Sequence, residues 1–241
     1  MNAEKEALQY VVGLAAPFIE EIDGETYSDK PLHRVKHNPK AEPIILSTLT
    51  SLVEYIRAGV DRVAGQTLFV HVESPTRVSV FSKLDEDRKR ETLAVVTAQV
   101  PSFEFNQFMD HERFCIALQS KFVDNYDRPL LLKFAGTVES GSVSEYGDDG
   151  ITQKATVKTG IASKDACIVP NPVNLVPFRT FNEVDQPLSR FIFRMKQDRS
   201  GEIACALFEA DGGAWKTGPL SDIKEFLEEA LEGVEDLIVI S

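Results

Sequence analysis

Glu209 and Asp211 stand two residues apart in Ala206–Gly218, ALFEADGGAWKTG, beside a glycine pair and the chain's single tryptophan, Trp215. In a strand, two such carboxylates point to the same side, where they could share acid–base work or hold a metal. No histidine and no third carboxylate lies close by in sequence. Gly212-Gly213 reads as punctuation, and Phe208 and Trp215 flank it. The segment is therefore expected to be a structural turn with these two rings packed across it. A partner-binding loop and a chemical site are the other two readings.

The second candidate is cationic. In SRFIFRMK, Arg190, Arg194 and Lys196 alternate with Phe191, Phe193 and Met195, and Arg179 is nearby in sequence. One strand face carrying these cations could hold phosphates or a partner's acidic surface. They could equally face water or pair with Glu202 and Glu209. The ligand- or partner-binding candidates are thus Arg179, Arg190, Arg194, Glu209, Asp211 and Trp215.

Other groupings point to bland roles. His33 and His37 share a helical spacing but sit between prolines with Arg34 and Lys36, which would repel a cation. His111 and Cys115 are also four apart, the spacing of an activated thiol, yet Cys115 lies on an apolar stripe. His71 reads as a strand residue. The YGDDG at 146–150 lacks the alternating carboxylates and distal Glu of a calcium loop, and its Asp-Gly marks a hairpin turn. The DRKRE at 87–91 is expected to be a solvated turn, its charges nearly cancelling.

The phosphate-binding, dinucleotide-binding, zincin and nucleophile-elbow signatures are all absent from the 241 residues. No catalytic residue, metal or cofactor is assigned, and the balance leans away from an enzyme. Net charge is −12. That opposes a large phosphate-tracking surface and so direct nucleic-acid binding, although net charge does not exclude a local basic patch. Three widely spaced cysteines, without C-x-x-C, suit reduced thiols in a cytosolic protein. No apolar run approaches the ~20 residues of a membrane span, and the acidic N-terminus lacks a signal peptide's basic region.

The elements that must position these groups follow from periodicity. Residues 1–46 read as a short amphipathic helix (Leu8, Val11, Val12 and Ala15 on one face) and a polar, proline-containing extended arm. Residues 47–241 read as one body, with a possible sub-boundary near 140. It opens with a helix capped by Ser47 and an antiparallel meander over 67–100. Two helices capped by Asp110 and Asp127 follow, then a long hairpin around GDDG and a proline-interrupted extended stretch to 181. SRFIFRMK is expected to pair with EIACALFEA. A helix capped by Ser221 and a buried strand, DLIVI, come last. Antiparallel strands segregated from amphipathic helices make the fold class α+β.

Read together, STLTSLVEYI, VHVESPTRVSVF, VDNYDRPLLLKFAGTV, VPFRTFNEVDQP, RFIFRM and ALFEADGGAW resemble an uncharacterised family of bacteriophage and prophage proteins. The resemblance runs from Ser47 to Leu231 and carries over no active-site residue. It implies a phage product in the cytoplasm of a bacterial host. With catalytic signatures missing, the expected role is non-catalytic: homo-oligomeric self-assembly and binding to a phage or host protein. The alternatives are an anti-defence protein that sequesters or hydrolyses nucleotides, and an accessory to phage recombination or replication.

Overall fold

The computed structural model describes residues 3–15, 17–31, 40–63, 65–144, 154–158, 164–168, 171–197 and 202–241. For 3–4, 14–15, 138–144, 154–158 and 164–168 only the backbone is described. His33 and His37, the GDDG turn, Pro170 and the 198–201 junction lie outside the described residues.

The chain opens with α1 (Ala3–Ala15), β1 (Ile19–Ile22) and β2 (Glu25–Ser28). Next come β3 (Ile44–Leu46), α2 (Leu49–Ala58), β4 (Leu68–Ser74), β5 (Arg77–Ser82) and β6 (Thr92–Thr97). The middle holds β7 (Met109–Asp110), α3 (His111–Ser120), α4 (Arg128–Thr137), β8 (Val138–Ser144), β9 (Lys154–Lys158) and β10 (Lys164–Ile168). Then follow β11 (Val173–Leu175), β12 (Ser189–Gln197) and β13 (Ile203–Glu209). A 3-10 turn (Ala214–Lys216) leads into α5 (Thr217–Ala230), and β14 (Leu237–Ile240) is last. The fold is α+β.

Two compact units share the chain, Met1–Lys40 and Ala41–Ser241. In the first, the start of the expected arm is not simply extended. Residues 19–28 form an antiparallel hairpin, with Ile22 opposite Glu25. Its two turn residues, Asp23 and Gly24, both have left-handed φ, 53° and 81°. A two-residue turn of that hand matches the twist of the flanking strands.

In the second unit, β4, β5 and β6 form the expected meander. Two parallel edges extend it: β14 beside β4 and β3 beside β6, giving the order β14-β4-β5-β6-β3. The sheet is therefore mixed, and β3 leaves the arm to join it. β14 is an edge strand with Ile238 and Ile240 exposed, correcting the expectation of a buried one. Leu49, Leu52 and Ile56 of α2, and Ile223 and Leu227 of α5, pack with Val70, Val72, Val78 and Val80 in one hydrophobic cluster. This cluster draws on residues before 100 and after 217, together with Phe181.

A second cluster lies between. β11, β12, β13 and β7 form an antiparallel sheet in that order. Phe191, Phe193 and Met195 of β12 share the cluster with Phe114 and Leu118 of α3 and Leu131 and Phe134 of α4. Phe193 sits at its centre, stacked on Phe114 at 5.5 Å and met edge-on by Phe134 at 6.4 Å. Arg128, buried at the start of α4, ties the helices together. It donates from Nε to Leu118 O and from Nη2 to Gln119 O, both at 2.9 Å, and pairs with Asp124. The strands β8, β9 and β10 make a separate antiparallel sheet.

Helix starts differ from expectation at three places. The α2 cap is Thr48, whose hydroxyl accepts from Ser51 N–H at 3.2 Å; Ser47 is one residue too early to reach it. Asp110 caps α3 as expected, accepting from Arg113 N–H at 2.8 Å. The Asp127 carboxylate goes instead to the Asn174 N–H of β11, at 2.8 Å. α5 starts at Thr217 rather than beyond Ser221, because Pro219 falls in the first turn, where a missing N–H costs nothing.

Candidate functional site

Arg179 is the side chain on which the candidate residues converge. Its main chain is clamped first. The N–H groups of Arg179 and Thr180 both donate to Gln186 Oε1, at 2.8 and 3.2 Å, and Gln186 Nε2 donates back to Phe181 O at 2.9 Å. Thr180 Oγ1 donates to Pro75 O in the β4–β5 turn at 2.6 Å. The loop is thus fastened to the first cluster, while the side chain reaches toward the second.

The guanidinium is enclosed by aromatic rings. Its carbon lies 4.4 Å from the Phe105 ring centre, 4.5 Å from Trp215 and 5.1 Å from Phe191. Each ring offers its negative face to the cation. Glu209 stands directly opposite Phe191 in the β12–β13 register and so on the same sheet face. Its Oε1 is 3.0 Å from Arg179 Nη1. The contact is an ion pair rather than a well-directed hydrogen bond, and Nε, Nη1 and Nη2 have no hydrogen-bond partner although all are buried. Burial lowers the Arg179 pKa, opposed by the charges of Glu209 and Asp211. The group still stays charged, as arginine does.

Four of the six sequence candidates therefore meet: Arg179, Glu209, Asp211 and Trp215. The expected Phe208–Trp215 pair does not form. Phe208 points to the other face of β13 and meets Phe108 edge-on at 5.9 Å, while Trp215 covers Arg179. The DGG turn itself is as expected: the Asp211 carboxylate accepts from Gly213 N–H at 3.0 Å, and Gly212 and Gly213 have φ of 63° and 84°. Arg190 and Arg194 are elsewhere. They alternate with buried Phe191 and Phe193, so they stand on the outer face of the sheet.

A permanent cation held under three rings neither donates nor takes a proton; through its main-chain neighbours and the rings around it, Arg179 links the two hydrophobic clusters. No family model, curated protein or solved structure matches the chain. Among the described residues no group of three His, Cys, Asp or Glu could hold a metal, and no helix is long and apolar enough to cross a membrane. Glu183 accepts from Thr50 N–H at 3.2 Å, which places a carboxylate at the α2 N-terminus beside the open groove lined by Ser47, Thr48, Ser51 and Thr97.

His111 and Cys115 do approach, Nε2 to Sγ at 3.7 Å. The same Nε2 lies 2.6 Å from Ala135 O. A ring nitrogen bonded to a carbonyl must carry the proton, so it cannot take one from the thiol. Burial raises the thiol pKa of Cys115, and raises that of Cys205 to about 12 with help from Cys115 and Asp110. Both thiols are thereby held neutral. Site-resolved alkylation at pH 8 is expected to leave Cys205 unlabelled until denaturant is added. Labelling as fast as in the unfolded chain would contradict its burial. The unfolded chain ionises this thiol first, so the contribution is full below pH 9 and is lost as pH rises toward about 12.

Sequence reasoning missed Phe105, Phe191 and Gln186 as partners of Arg179. They lie far apart in the chain and share no local spacing. It also missed Arg90, which leaves its turn to stack over Phe69 and Phe81 at 5.1 and 5.0 Å.

Proposed function

We propose that this chain acts by association rather than catalysis, assembling with further copies of itself in the cytoplasm of a bacterial host. The phage or prophage setting follows from the segment resemblance. The observation that supports assembly is the state of the unit Met1–Lys40. Among its described residues none is buried. Leu8, Val11 and Val12 of α1, and Phe18, Ile19, Ile22 and Tyr27 around the hairpin, are all exposed, Leu8 by 71 %.

Covering one such side chain is worth ~1.5–3 kcal/mol. A stripe of this kind, in a unit none of whose described residues is buried, calls for a covering surface. A second copy supplies one most simply, because a two-fold interface needs only one self-complementary patch.

Size-exclusion chromatography with light scattering at two concentrations tests this. The expected result is a discrete multiple of the 26.8 kDa chain, reduced to a smaller species by Leu8→Glu with Val12→Glu. A monomer at both concentrations overturns the reading.

A further inference from the structure

The last strand leaves one edge of the mixed sheet open among the described residues. β14 lies outside β4, and no described strand lies beyond it. Leu68 N–H donates to Asp236 O at 3.0 Å, and the two strands run parallel in unbroken register from Leu237 to Ile240. In a parallel pair, every second residue of a strand bonds to its neighbour. The groups turned toward β4 are therefore those of Asp236, Ile238 and Ile240, while the N–H and C=O of Leu237 and Val239 point outward.

Sheets guard such edges with charges, prolines or shortness. β3 and β11 are three residues long and follow Pro43 and Pro172, and β7 has two residues. The strands β1, β2, β8 and β10 each carry charged residues. β14, LIVI, has none of these devices. Ile238 and Ile240 stand opposite Phe69 and His71 of β4 and remain 44 % and 37 % exposed.

Carboxylates line the turn that leads into this strand. Glu232, Glu235 and Asp236 are all exposed. Arg62 pairs with Asp236 at 3.9 Å and also reaches Glu235 O, and Arg57 is bound to Ala230 O at 2.7 Å. No described cation pairs with the side chains of Glu232 or Glu235.

We propose that the β14 edge takes up an extended segment of another protein as an added strand, one with alternating apolar residues between lysines or arginines. Strand addition satisfies the outward groups of Leu237 and Val239 with main-chain bonds. Every second side chain of the added strand then lies beside Ile238 and Ile240, and its flanking cations meet Glu232 and Glu235. A second copy's β14 has no cation in it and carries carboxylates of its own before it, so it leaves these two unmatched. The occupant is thus distinct from the copies assembled through Met1–Lys40.

The test is fluorescence polarisation of labelled peptides with the full chain at low salt. KKVTVTVKK should bind saturably, and EEVTVTVEE about tenfold more weakly. KKVPPTVKK keeps the charges but loses donors on both edges of its strand, so it should not bind. Val239→Pro removes an outward N–H without touching the ladder to β4, and should abolish binding. Val239→Ala loses the same side chain, keeps the N–H, and should bind as wild type does. Glu232→Lys with Glu235→Lys should reverse the preference, to EEVTVTVEE. Leu8→Glu with Val12→Glu should leave peptide binding unchanged, which separates this edge from assembly. If Val239→Pro does not fold, the proline peptide carries the test. Equal binding of KKVPPTVKK and KKVTVTVKK overturns the proposal, since charge alone then suffices. So does the absence of any polarisation change up to about 1 mM. A dimer that Val239→Pro dissociates and no peptide displaces also overturns it, and would assign the edge to a second copy.

Discussion

Glu209→Ala is expected to lower stability by ~3 kcal/mol, a drop in Tm of roughly 6–12 °C for a chain of this size. The cost comes less from the lost attraction than from what remains. Arg179 is 7 % exposed at its side chain, and without Glu209 its charge stays buried with Asp211 alone nearby. Glu209 is itself one-third exposed, which places the loss at the lower end for a broken buried pair. Glu209→Gln should cost nearly as much, since it removes the same charge.

Arg179→Met separates the two explanations. It removes the cation and the need for its partner, and a flexible thioether can fill the space between Phe105, Phe191 and Trp215. It should lie within about 1 kcal/mol of wild type. Urea denaturation followed by the single tryptophan reads both variants at the site itself. If Arg179→Met proves as damaging as Glu209→Ala, the ion pair is a net stabiliser and this account of it is wrong.

Phe193→Ala should be costlier still, at ~3–5 kcal/mol. Its ring is fully buried between Phe114 and Phe134, so truncation leaves a cavity that two helices and a sheet must share. Phe193→Leu keeps most of the volume and should cost less than half as much. Denaturation midpoints for the pair check this. Equal costs would mean that the aromatic stacking, not the filled volume, holds the cluster together.

Much of this fold is legible in local patterns. The alternation in SRFIFRMK set the inward face of β12, and the meander and the Asp110 cap follow from spacing alone. What escaped was of two kinds. Some signals were present and outweighed: Asp23-Gly24 is a hairpin turn hidden in a polar stretch, and Pro219 marks a helix start that Ser221 obscured. Others have no local trace. The parallel pairing of β3 with β6 and β14 with β4 joins distant segments. The partners of Arg179 likewise come from residues 105, 191, 209 and 215, brought together only by the sheet register and the turn after β13. Grouping Arg179 with Arg190 and Arg194 failed for that reason, since proximity in sequence says nothing about opposite faces of one sheet.

The hydrophobic cluster around the mixed sheet is built from segments at both ends of the body, with the other cluster threaded between them. On the ribosome this imposes a wait. β3 to β6 emerge first, but α5 and β14 follow only after the ~120 residues between β6 and α5, roughly 6–24 s later at 5–20 residues per second. Through that interval the half-made sheet has α2 but not α5 over its apolar face, and an unpaired β4 edge. The inner module, whose parts are contiguous, can fold within the same interval. Synthesis therefore favours completing the inserted module first, with the outer sheet sealed last by the helix that carries Trp215 at its entrance.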